Sequence, residues 1–169
     1  MNILFVSMVP FESNSSATIR NKGIIKGLNE LGHVVDTITL KLNNNAFSYD
    51  ESMNDIRDIV RNSYYIDLNP KYARFMAKKV HEQNGNNKNS NNIRIKLKKG
   101  IRSIIKKIHD NISIFDAQKS NVNQVKKLEI NYDSYDIIIS ASDPKSSHLI
   151  VEKILRSHSN AKVKWIQYW

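Results

Sequence analysis

Cysteine is absent from the 169-residue chain, which excludes disulfides and thiolate metal sites and fits a reducing cytoplasm. The five histidines stand apart, without the helix-face pairing that a metal centre uses, so no metal is expected. No stretch approaches the ~18 to 20 apolar residues needed to span a bilayer. The opening apolar run, Ile3 to Val6, is too short for a signal peptide and lacks a basic flank. Neither G-x-G-x-x-G nor G-x-x-x-x-G-K-[ST] occurs, which argues against a dinucleotide fingerprint or a P-loop. Internal repeats are missing too, so solenoids and propellers are excluded.

Acidic residues are scarce in one place. Residues 71–128 hold fifteen Lys or Arg against Glu82, Asp110 and Asp116, so this segment carries +12 of a formal total of +10 and the rest of the chain sums to −2. The basicity belongs to one segment and implies an anionic partner there.

The apolar pattern is that of an α/β chain. Ile3-Leu4-Phe5-Val6 has no polar alternation and suits a strand buried on both faces of a parallel sheet. Ile24, Ile25, Leu28 and Leu31 form a helical stripe, Gly32 is placed to end that helix, and Val34-Val35 opens the next strand. Beyond an Asn-rich connection, the spacing predicts a short polar helix over 51–60 and a third strand over 64–68. Residues 84–92 form an Asn-rich run with nothing to bury and read as a flexible loop. Leu97, Ile101, Ile104, Ile105, Ile108 and Ile112 then make a helical stripe flanked by cations, within a basic helical insert over 94–128, and Val122, Val125 and Leu128 continue it. A second buried strand spans 135–141. Asp143 has N-cap chemistry and Pro144 suits a first helical position before a helix that buries Ile150, Val151, Ile154 and Leu155. An aromatic strand over 163–169 closes the chain like a cut through a longer protein. The fold class expected is a Rossmann-like, doubly wound, mostly parallel sheet with helices on both faces, one domain over 1–169 with 2–7 and 135–141 as central strands.

Two motifs carry a family resemblance. The opening N-I-L-F-V-S-x-x-P, a Ser-rich loop, A-T-I-R-N-K-G-x-x-K-G-L-N-E-L-G-H-V-V resembles the start of a GT-B glycosyltransferase of the family 4-like type. Where commoner members carry a Gly pair, this chain has Ser15 and Ser16. Near the other end, Y-D-I-I-I-S-A-S-D-P-K-S-S-H-L-I, a helix and V-K-W-I-Q-Y-W are similar to the later part of the same N-terminal domain. The resemblance covers both ends of the chain and omits about 41 to 130. It implies one half of a GT-B fold, the acceptor-binding half. The full enzyme would move a sugar from a nucleotide-sugar donor, held mainly by an absent C-terminal domain, to a glycan or lipid-linked acceptor in surface polysaccharide synthesis. No cofactor is implied.

Ligands of an open α/β sheet sit outside the carboxyl ends of its strands, here the loops 7–16 and 142–146, which should lie side by side. The candidate substrate contacts are Ser15, Ser16, Arg20, Ser142, Asp143 and His148. Each has a plainer reading: Ser15, Ser16 and Asp143 as helix caps, Arg20 as a solvated surface side chain, His148 as helix packing. Lys98, Lys99, Arg102, Lys106 and Lys107 could meet anionic headgroups, placing the protein at the inner face of the cell membrane, or could simply face water. Nucleic acid is not expected, because no aromatic or Asn/Gln readers stand among these cations. The rival reading is a non-catalytic α/β module that docks an anionic surface through its basic helix.

Overall fold

The computed structural model describes residues 1–44, 46, 48–67, 117–142, 144–158 and 162–169. The expected segments 84–92 and 94–116 lie outside them, as do Asp143 and the cations Lys98, Lys99, Arg102, Lys106 and Lys107.

Five strands, β1 Asn2–Val6, β2 Val34–Leu40, β3 Asn62–Ile66, β4 Ile137–Ala141 and β5 Lys164–Tyr168, pair in the order β3-β2-β1-β4-β5. Every pairing is parallel. The most apolar strand takes the centre: Leu4, Phe5 and Val6 are fully buried, and only helices on both faces produce such burial in a parallel sheet.

Helix α1 (Ser16–Glu30) and the single turn α2 (Ile56–Ile59) cover one face, where Ile3, Phe5, Val35 and Ile139 pack on Phe11, Ile25 and Ile56. Helix α3 (Ser146–Ser157) and the 3₁₀ segment Ala117–Lys127 cover the other, where Leu4, Val6, Ile38 and Ile138 meet Val122, Val125, Ile150 and Ile154. The fold is therefore a Rossmann-like α/β sheet clad on both sides. Val122 and Val125 do face the core from the 3₁₀ piece, and Leu128, just past its end, packs against it partly buried.

Local chemistry moves several boundaries. Leu31 is not part of the buried stripe but 74 % exposed, because the chain reverses at Gly32 (φ 79°) directly after it. The polar helix over 51–60 splits into a 3₁₀ turn, Glu51–Asp55, and α2; Asp50 tightens that turn by accepting from the Ser52 N–H at 3.0 Å and its hydroxyl at 2.6 Å. The third strand begins at Asn62, earlier than expected, since the Asn62 N–H and side chain are fixed by Asp36 of β2. Helix α3 starts at Ser146, after a tight turn in which Ser147 and His148 donate to the Pro144 and Lys145 carbonyls.

Candidate functional site

The chain crosses from one face of the sheet to the other between neighbouring strands: β1 runs into α1 on one side, β4 into α3 on the opposite side. Two connections that diverge from adjacent parallel strands open a crevice at the carboxyl ends, where α/β proteins hold ligands. The two loops touch. The Met8 N–H donates to Ser147 Oγ at 3.0 Å, and that hydroxyl donates to the Pro144 carbonyl at 2.9 Å. Beside this seam Ser7 Oγ accepts from the Val9 N–H (3.2 Å) and from Asn21 Nδ2 of α1 (3.0 Å). Asn21 is fully buried and its Oδ1 meets no partner.

The sequence-derived residues take unequal places around this crevice. Ser15 is the N-cap of α1: its Oγ accepts from the Thr18 N–H at 3.2 Å and shares a 2.9 Å bond with Thr18 Oγ1. Its hydroxyl is thus engaged in holding the helix start. Ser16 is exposed in the first turn. The exposed guanidinium of Arg20 lies 5.4 Å from the Tyr168 ring centroid, a cation–π placement. Tyr168 is tied by its carbonyl to the Ser142 N–H at 2.8 Å, and the next residue, Trp169, lays its ring 4.6 Å from the His148 ring. Arg20, Ser142 and His148 therefore converge on the end of β5.

A hydrogen-bond series lies under His148. Trp165 Nε1 donates to Ser140 Oγ at 2.8 Å, and Ser140 Oγ is 2.7 Å from His148 Nδ1. His148 is 6 % exposed, its Nε2 is buried without a partner, and burial lowers its imidazole below the ordinary value, so the ring is neutral at pH 7. The Ser140 and His148 pair has the spacing of a nucleophile and its base. It is not one, because Ser140 is fully buried inside β4, where no substrate reaches it.

Ser7, Asn21, Ser140, Ser147 and Trp165 escaped the sequence reading. The one available signal was a polar residue interrupting an apolar strand, as Ser140 does after Ile137-Ile138-Ile139. Among the described residues this edge presents the exposed Arg20 guanidinium, Ser16 and the Trp169 ring, over a buried layer of hydroxyls, an amide and a neutral imidazole. Among the described residues no cluster of three His, Cys, Asp or Glu could hold a metal ion.

A depression of about 590 Å³ lies at the opposite edge, lined in part by Met1, Asp133, Asp136, Lys162 and Lys164. These residues sit at the amino ends of β1, β4 and β5, the edge that parallel sheets do not use for ligands. The crevice between β1 and β4 is therefore the candidate site. Compared with known proteins, the chain matches no family model, no curated protein and no solved structure.

Proposed function

We propose that this chain is the acceptor-binding half of a GT-B glycosyltransferase that moves a sugar from a nucleotide-sugar donor to a glycan or lipid-linked acceptor of a surface polysaccharide. The observation that supports it is the convergence of Arg20, Ser142 and His148, three residues picked by the family-like motifs, on the end of β5, next to β4 at the carboxyl edge of the sheet. Arg20 supplies the charge for a phosphate of the donor or of a lipid-linked acceptor. His148 supplies a polar group for a sugar hydroxyl. In this reading the described residues supply the acceptor side, and the donor's nucleotide rests mainly on the other half of the GT-B fold.

The test is transfer of label from radioactive UDP-, GDP- and dTDP-sugars to a membrane lipid extract by the full-length protein. Label should appear in the lipid fraction with at least one donor, and Arg20→Ala should reduce kcat/KM about tenfold or more, the cost of one charge-assisted hydrogen bond. No transfer from any donor, with vesicle binding retained, would favour a non-catalytic module that docks an anionic surface.

A further inference from the structure

The bonds beneath His148 determine where its proton sits. The indole of Trp165 can only donate, so Ser140 Oγ accepts from it at 2.8 Å. The remaining question is the direction of the 2.7 Å bond between Ser140 Oγ and His148 Nδ1. If Nδ1 donated, the Ser140 hydroxyl proton would be left without an acceptor in a fully buried residue, and Nε2 would be a bare buried lone pair; two groups would be unmet. If Ser140 donates to Nδ1, every group of the series is satisfied except one, the proton on Nε2. The second arrangement is the stable one, because each buried polar group without a partner carries a desolvation penalty.

We propose that Trp165 and Ser140 are positioning residues that hold His148 as a neutral imidazole with its proton on Nε2, so that it donates a hydrogen bond to a hydroxyl oxygen of the bound sugar acceptor. The inference deepens the transferase reading and rests on it for the identity of that oxygen, though not for the tautomer. A ring whose Nε2 already carries a proton and whose Nδ1 is occupied cannot take the proton of the acceptor hydroxyl. His148 is thus assigned to orienting the acceptor, and deprotonation falls to another group. Trp169 is the cover: it lies against the same ring and is 69 % exposed, so a ligand reaches the imidazole by displacing a side chain that is mostly in water.

Nitrogen NMR of the protein labelled at histidine reads the tautomer directly. At pH 7 His148 should show an unprotonated, hydrogen-bonded Nδ1 and a protonated Nε2. In Trp165→Phe, where Ser140 is free to accept or donate, and in Ser140→Ala, the signals should move toward a mixture of tautomers while circular dichroism reports an intact fold. A proton on Nδ1, a charged ring, or a Trp165→Phe spectrum identical to wild type would overturn the assignment. The activity arm compares two changes at the same position. His148→Gln keeps a donor and should retain about tenfold more transfer than His148→Ala; equal losses would sink the donor role. A protein with no transfer activity would count against the transferase reading alone, and the tautomer would still be decided by its spectrum.

Discussion

Asp36 is 1 % exposed on β2 and receives an unusual number of donors for one carboxylate. Arg61 grips it with Nε at 3.0 Å and Nη2 at 2.6 Å, the Asn62 N–H approaches to 2.9 Å, and the Tyr135 hydroxyl donates at 2.5 Å. Burial alone would raise this carboxyl, but the bonds from Arg61, Tyr135 and Asn62 outweigh it and hold the group below the ordinary carboxylate value. The same contact, after burial, pushes the Tyr135 hydroxyl far upward. Because the folded value lies below the unfolded one of ~3.9, the contribution to stability is full above that pH and is lost as pH falls through the folded value. Asp36→Asn should therefore cost about 2 kcal/mol at pH 7, the order of the loss when a buried group's charge-assisted bonds are broken. Its stability should also fall less steeply than that of the native protein between about pH 4 and pH 2. Urea unfolding at both ends of that window measures the difference; parallel acid limbs would show that Asp36 is not the group responsible. Nothing in V-V-D-T-I-T-L marked this aspartate, since its partners Arg61 and Tyr135 lie 25 and 99 residues away. Ser140 showed only as a polar interruption of an apolar strand, and its meaning came from Trp165 and His148 in other elements.

Helix α1 shows how much punctuation the local sequence contains. Ser15 caps the start, and at the end the Gly32 N–H donates to Asn29 (2.8 Å) while His33 donates to Leu28 (3.1 Å), the paired bonds of a Schellman motif. Gly32 has room for a methyl group, with nothing within 4 Å of an added Cβ, so only its φ of 79° requires glycine. Gly32→Ala and Ser15→Ala should each lower unfolding stability by about 1 kcal/mol. Thermal melts decide between two roles for Ser15: unchanged stability with lost transfer activity would make it a ligand contact and not a cap. The ends of α1 could be located because Ser and Gly act within a few residues of themselves. The start of α3 could not, because Ser147 there is engaged with Met8, 139 residues back. Strand existence was similarly legible from apolar runs, while the start of β3 followed from Asp36 across the sheet.

At the scale of the molecule the charge is lopsided, with +12 in residues 71–128. Among the described residues no helix is long and apolar enough to cross a membrane. An electrostatic surface attachment depends on anionic lipid and weakens as salt shortens the Debye length from ~10 Å at 0.1 M to ~3 Å at 1 M. The purified protein should co-sediment with vesicles containing anionic lipid at low salt and poorly with neutral ones. Changing Lys98, Lys99, Lys106 and Lys107 to Gln should abolish most of this without altering thermal stability. Equal binding to both vesicle types, or none, would remove the membrane link.

The register that places Ile3 beside Ile137 also orders events during synthesis. The β1-α1-β2-α2-β3 half can assemble from neighbouring segments, but β4, the other neighbour of β1, leaves the ribosome 134 residues after it. Until then β1 is an open edge whose free backbone groups flank Ile3-Leu4-Phe5-Val6, the most apolar strand of the sheet. The strand that ends as the best protected in the protein is, while the chain is incomplete, its most adhesive surface. Chaperone demand and aggregation in the cell should therefore concentrate on nascent chains that have not yet made residues 137–141.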